Sequence, residues 1–348
     1  MSDNHHGINL INLGEMKKIK WNDLAFLTLC MLTIIACSSY AHEDDDDNFV
    51  YVTPYTNNNA EYVAVFGDIQ YYTDKQSISI FKHTLNWLEK AKEDINIISV
   101  LHTGDITNNN DVSLQWQYFK QAMNGFSLPF ISNIGNHDYT WNRASEITDR
   151  FDTHFNEYVK FPLVVNRIEA VYEEGRMENM VIRNEIHGQR YDFLLLEFGP
   201  RVEVVKWAKE WVASHPDIKF IMMTHEYLEK GGGRRVSGVY SVAQFRNTTC
   251  TTPEELWNQL VKCNDNIVCV LCGHVGGLYA VTFDKNDYGR EVCQIQHNIQ
   301  GSTYRYDNWL MMWEFPNDDE DAKVSIVNTK TGQLYNSEES LFSFKYIY

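Results

Sequence analysis

Five short apolar runs in this chain each end within a few residues on a side chain that can donate a lone pair. Tyr62–Phe66 runs into Gly67-Asp68, Ile95–Leu101 into Gly104-Asp105, and Phe130–Ile134 into Gly135-Asn136-His137-Asp138. Lys219–Met223 runs into Thr224-His225, and Ile267–Leu271 into Gly273-His274. Runs of this length, rich in Val, Ile and Phe, read as buried strands. Between them lie helical spacings: Ser77–Glu93 with Ile78, Phe81, Leu85 and Leu88 on one face, then Gln115–Met123, Ala144–Phe155, Arg201–Ala213 and Glu254–Val261. Further strands are expected at Met180–Ile186 and Tyr191–Phe198, paired about Gly188-Gln189, and at Leu278–Phe283, Glu291–Ile295, Trp309–Glu314 and Val324–Asn328. Strand–helix alternation followed by strands predicts an α/β fold, a two-sheet β-sandwich flanked by helices in four αββα layers. In such sheets the C-terminal strand ends face the ligand crevice, and all five polar residues fall there.

With 348 residues and 44% hydrophobic content the chain can bury a sizeable core. Its formal charge of −17 argues against a nucleic-acid partner, because backbone phosphates need a basic footprint. A small phosphorylated ligand is compatible, since bound divalent cations reverse the local field.

The N-terminus reads as a targeting segment. Met16-Lys17-Lys18-Ile19-Lys20 supplies positive charge, and Leu24–Ala36 is apolar apart from Thr28, Cys30 and Thr33, which suits a signal core better than a membrane span. The polar residues 1–15 precede this awkwardly, so translation is expected to start at Met16. Ile34-Ile35-Ala36-Cys37 resembles a lipobox, placing a lipid on Cys37; the competing expectation is cleavage after Ser39-Tyr40-Ala41. Residues 1–37 are therefore the signal segment and 38–59 a tether, whose Glu43-Asp44-Asp45-Asp46-Asp47 resembles the export tag of surface lipoproteins in Bacteroidetes-type bacteria. Residues 60–348 form the domain, expected to be exported and either lipid-anchored or periplasmic or secreted. Of the downstream cysteines, Cys269 and Cys272 sit in an apolar run and read as buried small side chains. Cys250 and Cys263 flank a predicted helix and could pair in a disulfide.

Oxygen and imidazole donors gathered at five strand ends are what a metal centre requires. Carboxylate and amide oxygens suit hard divalent ions, and imidazoles suit Zn, Fe or Mn. A glycine precedes Asp68, Asp105, Asn136 and His274, where the backbone is expected to turn sharply.

In this order the motifs resemble those of the calcineurin-like metallophosphoesterases: Asp-x-His, Gly-Asp, Gly-Asn-His-Asp/Glu, a strand-terminal His and Gly-His-x-His. The resemblance runs from about residue 62 to 276. It implies a metallophosphoesterase-like domain that hydrolyses a phosphomonoester or phosphodiester with one or two divalent ions (Mn, Fe, Zn, Mg or Ca). Carried over by position, Asp105 bridges two metals, Asn136, His225 and His274 complete one pocket, and Asp68 with Gln70 serves the other. His137, held by Asp138, stands beside the metals as a catalytic group.

Two positions depart from the pattern. Gln70 stands in place of a histidine, and Gly276 in place of the second histidine of the last motif. Both losses fall on the Asp68 pocket. The pairing of Asp-x-Gln with Gly-His-Val-Gly is similar to a bacterial variant of the family. The altered pocket is expected to take a harder ion, to stay empty, or to belong to a surface lipoprotein that binds a phosphorylated or glycan ligand without turnover. A metal-dependent hydrolase acting on another ester is a further rival. Secondary candidates are Tyr139, Trp141 and Arg143 at the rim, Arg234 and Arg235 as a phosphate clamp or a solvated loop, and Asn298 or Gln300 near the site. His102 reads as a core histidine.

Overall fold

The computed structural model describes residues 49–142, 147–236, 241–242, 250–300, 304–317 and 321–347. The signal segment, Cys37 and the acidic run lie outside them.

Two large sheets face each other. The first holds β1 (Glu61–Phe66), β2 (Asn96–His102), β3 (Phe130–Ser132), β14 (Trp309–Phe315), β15 (Asp321–Asn328), β16 (Gln333–Leu334) and β17 (Phe342–Lys345). Its order is β16-β15-β14-β1-β2-β3, with β17 also on β15; β1, β2 and β3 run parallel and β14 antiparallel to β1. The second holds β6 (Ile168–Val171), β7 (Met180–Ile182), β8 (Glu185–Ile186), β9 (Gln189–Leu195), β10 (Lys219–Met223), β11 (Ile267–Cys272), β12 (Gly277–Lys285) and β13 (Glu291–Asn298). Its order is β12-β13-β11-β10-β9-β7-β6, with β9, β10, β11 and β13 parallel.

Alternation along each strand separates the layers, since successive side chains point to opposite faces. In β10 and β11, Ile221, Met223, Cys269 and Leu271 join the core between the sheets, while Phe220, Met222, Val270 and Cys272 face a second cluster. That second cluster is closed by Val204, Val205, Ala208 and Val212 of the helix Val202–Ser214 and by Leu256, Trp257, Leu260 and Val261. Outside the first sheet, Phe66 of β1 meets Phe81 of the helix Ile78–Asp94 edge-on, with centroids 5.4 Å apart. The four-layer sandwich expected from the strand–helix order is therefore the observed one.

Three local expectations are corrected. The helix expected over Ala144–Phe155 gives way to a ladder: Ile147–Asp149 is β5, paired with β4 (Thr140–Asn142), and only Phe155–Tyr158 is helical. The β-branched residues Thr140, Ile147 and Thr148 favour that ladder over a helix. Cys250 and Cys263 are not joined to each other: Arg150 donates to Cys250 Sγ at 2.8 Å, and Cys263 donates to the Gln259 carbonyl at 3.1 Å. Finally, residues 49–59, expected as the end of the tether, are docked on the domain. Trp87 Nε1 donates to the Val52 carbonyl at 2.8 Å, and the buried Tyr55 hydroxyl meets Ser325 Oγ at 2.8 Å.

Trp87 carries much of that docking. Trp87→Ala should cost about 3–5 kcal/mol of stability, whereas Trp87→Phe, which keeps the apolar bulk and loses one hydrogen bond, should cost about 1–2 kcal/mol. Urea denaturation of both variants checks the ranking.

Candidate metal centre

The parallel strands of both sheets deliver their C-terminal ends to one place. Asp68 follows β1, Asp105 follows β2 and Asn136 follows β3 from the first sheet; His225 follows β10 and His274 follows β11 from the second. Asn298, the last residue of β13, joins them.

Asn136 Oδ1 lies 3.1 Å from His225 Nε2 and 3.0 Å from His274 Nδ1, and the two ring nitrogens are 3.2 Å apart. Asp105 Oδ2 is 3.2 Å from His225 Nε2. His225 Nδ1 donates to the Thr103 carbonyl at 2.9 Å, which assigns the ring proton to that side and turns the Nε2 lone pair inward. His274 Nδ1 faces inward as well, with Nε2 on the opposite side 3.5 Å from Glu226 Oε2. An amide oxygen, a carboxylate oxygen and two imidazole nitrogens thus meet with no proton to share among them in the neutral rings. Acceptors held face to face repel unless a cation sits between them. Asp105, His225 and His274 form a group able to hold a metal ion, with ligand atoms within 4.8 Å of one another, and mixed oxygen and imidazole donors fit a divalent transition metal.

The charges carry the same demand. Asp68, Asp105, Asp138 and Glu226 are all buried at this end of the sandwich, and each uncompensated buried charge costs several kcal/mol. Burial would raise Asp105 and lower His225, but their mutual attraction prevails. It holds Asp105 well below the usual carboxylate range and lifts His225 to about 10. Burial, then the charge on His225, drives His274 far below the usual range. Burial pushes Asp68 up to about 7, with Asp105 reinforcing it and His225 opposing. The pocket draws in positive charge, as a proton on His225 or as a bound cation.

The glycines act chiefly by leaving room. A Cβ on Gly104 would stand 2.7 Å from His225 Nδ1, one on Gly135 would overlap Asp105 Oδ1, and one on Gly273 would overlap Asp68 Oδ1. The left-handed backbone falls largely on the ligand residues themselves, at Asp105 (φ 59°) and His274 (φ 66°), a strain that clusters at functional sites.

The second pocket is differently built. Asp68 Oδ2 accepts from Asn298 Nδ2 at 2.6 Å, and Oδ1 accepts from the His274 amide at 3.2 Å. Gln70 is buried, and among the described residues neither atom of its amide has a hydrogen-bond partner, which leaves its oxygen suited to an ion. Asn298 Nδ2 also reaches Gln300 Oε1 at 3.4 Å, and Gln300's carbonyl accepts from Arg305, whose guanidinium lies 4.1 Å over the Tyr71 ring.

His137 is half-buried, its amide donating to Asp105 Oδ1 at 2.9 Å. Asp138 does not hold its ring. His137 Nδ1 donates to the Asn108 carbonyl at 2.9 Å, while Asp138 accepts from the amides of Thr107 and Gly135, each at 3.0 Å. Asp138 points back into the loop bases because two unpaired amides stand there; it braces the motif. Tyr139 is buried and does not rim the site; the Trp141 side chain and Arg143 lie outside the described residues. Arg234 is not a phosphate clamp, since Asp284, Glu254 and Gln294 hold it over Trp257. Arg235 pairs with Glu226 and Glu229. His102 is fully buried against Ser132 Oγ at 2.8 Å, as a core histidine.

Sequence reasoning passed over Glu226, Phe198 and the Asn108 carbonyl. Phe198 packs on both ligand rings, with centroids 5.7 and 5.5 Å from His225 and His274. Only the His225-Glu226 dipeptide carried a signal in the sequence.

Residues 62–293 match the family model of the calcineurin-like phosphoesterases, and the chain belongs to that family. Metal-dependent phosphoester hydrolysis is the general chemistry that membership supports. An uncharacterized Bacillus subtilis protein, YvnB, is 26% identical over 290 residues, covering 79% of this chain and 20% of that relative; this chain thus spans about a fifth of its length. Two solved structures from Thermus thermophilus are also similar. A 5′-nucleotidase precursor has TM-score 0.42 and 11% identity, covering 79% of this chain and 53% of its own. The protein TT1561 has TM-score 0.38 and 9% identity, covering 79% and 97%.

Gly135→Ala should lower stability by about 1–3 kcal/mol and abolish stoichiometric metal uptake, because the methyl group displaces Asp105. Denaturant unfolding and elemental analysis of the purified protein test both halves.

Proposed function

We propose that this chain hydrolyses a phosphomonoester or phosphodiester outside the inner membrane. The observation that carries this reading is the Asp105–Asn136–His225–His274 pocket with His137 beside it. In that pocket a divalent ion would supply Lewis-acid polarisation of a phosphoryl oxygen and acidify a water.

The residues themselves do the rest. Asp105, whose burial is offset by His225, stays anionic and anchors the positive charge. The His137 amide on Asp105 Oδ1 ties the catalytic loop to that anchor. With Nδ1 committed to the Asn108 carbonyl, Nε2 is the nitrogen assigned to steady the phosphoryl oxygens or protonate the leaving oxygen. Asp68 and Gln70 form the neighbouring subsite, where Gln70's amide, without a partner among the described residues, supports a second, harder ion.

The N-terminal features support export with a lipid on Cys37, and a small phosphorylated substrate suits a site built from metals rather than from a basic surface. No helix among the described residues is long and apolar enough to cross a membrane.

p-Nitrophenyl phosphate and its bis-ester, assayed with added Mn²⁺, Fe²⁺ or Ca²⁺, test the activity. His137→Ala should lower kcat about 10²–10⁴-fold with metal content unchanged. Full metal occupancy without turnover of either ester would favour the ligand-binding alternative. For the anchor, labelled palmitate should enter the wild-type chain in a bacterial host and not Cys37→Ala; equal labelling overturns the lipid assignment.

A further inference from the structure

We propose that Glu226 is a positioning residue that fixes the tautomer and orientation of His274 as a metal ligand. The inference rests on the reading that the Asp105–Asn136–His225–His274 pocket holds a metal.

An imidazole that presents the Nδ1 lone pair carries its proton on Nε2. On His274, Nδ1 is the nitrogen facing Asn136 and His225, and Nε2 lies 3.5 Å from Glu226 Oε2, an ion-pair distance longer than a hydrogen bond. The Glu226 side chain is fully buried and held from several sides. Oε1 accepts from Ser241 Oγ at 2.7 Å and lies 3.3 Å from Arg235 Nε, and Oε2 accepts from the Val242 amide at 2.9 Å. Two hydrogen bonds and an ion pair hold the carboxylate in place behind the ring. The two imidazoles therefore have different backing. His225 leans on a neutral peptide carbonyl, Thr103, while His274 leans on a carboxylate. A carboxylate behind the distal nitrogen raises the basicity of the ligating one, and losing such a partner typically weakens metal binding about 10–100-fold.

The position of Glu226 explains how this is possible. It directly follows His225 in the bend beyond β10, where the two consecutive side chains diverge. One residue thus enters the pocket from β10 while the next reaches behind the ligand from β11.

The test is titration of chelator-stripped, full-length protein with Mn²⁺ alone, followed by calorimetry. Glu226→Ala should bind Mn²⁺ about 10–100-fold more weakly than wild type. Glu226→Gln, whose amide oxygen can still accept from Nε2–H, should recover most of the loss. Ser241→Ala, which removes one support but leaves the carboxylate and its contacts with Val242 and Arg235, should lose less affinity than Glu226→Ala. Equal affinity of Glu226→Ala and wild type would overturn the inference, as would a loss in Ser241→Ala as large as in Glu226→Ala, because Glu226 would then act only by holding Ser241 and Val242 in place. Should Glu226→Ala fail to fold by urea denaturation, Glu226→Asp decides. It withdraws the oxygen from Nε2 while keeping the charge, and wild-type affinity there also overturns the inference. Wild-type protein that takes up no Mn²⁺ would overturn the metal reading beneath it, a result distinct from all of these.

Discussion

Acceptor against acceptor is the constraint on which this structure turns. Asn136 Oδ1, His225 Nε2 and His274 Nδ1 sit within 3.0–3.2 Å of one another beside the Asp105 carboxylate. Packing alone does not favour such a meeting. It persists because each group is fixed from behind: His225 by the Thr103 carbonyl, His274 by Glu226, and Asp105 by the His137 amide. The close approach is possible because Gly104, Gly135 and Gly273 carry no side chain where another motif's ligand lies. The sandwich serves the same end, since parallel strands in both sheets point their C-terminal ends at one crevice.

Much of this was legible in the sequence. A strand leaves an apolar run with sharp ends, so the sequence alone places Asp68, Asp105, Asn136, His225 and His274 at strand termini. The helices with a clean 3.6-residue period, Ile78–Asp94 and Val202–Ser214, also came through. What was lost depended on contacts distant in sequence. The ladder between Thr140–Asn142 and Ile147–Asp149 draws its stability from cross-strand pairing, which local propensity does not report. The resemblance implies that Asp138 holds His137, yet the amides of Thr107 and Gly135 claim it. Glu226 escaped notice because its role depends on a ring brought from 48 residues away, the separation of 226 and 274.

The two pockets share a wall but not a chemistry. Around His225 and His274 the donors are imidazole and oxygen. Around Asp68 they are an amide-capped carboxylate and the Gln70 amide, with Asn298 occupying one carboxylate oxygen. Carboxylate and carboxamide oxygens are donors that suit hard, oxygen-loving ions better than softer ones. The family's general chemistry therefore rests here on an asymmetric base, with the imidazole pocket the more strongly built.

The docked segment 49–59 has a mechanical consequence. Load arriving along the chain from its N-terminal side meets the Phe49–His83 contact, then the Val52–Trp87 bond, then Tyr55 on Ser325, before it reaches β1. These yield one after another, as a zip does, whereas β1 is held between β14 and β2 along its length and would resist in shear. Asp68 stands just past the far end of β1. A pull on the N-terminal side would thus be spent peeling aromatic contacts from the flank of the domain, and the strand that carries the first ligand would keep its register.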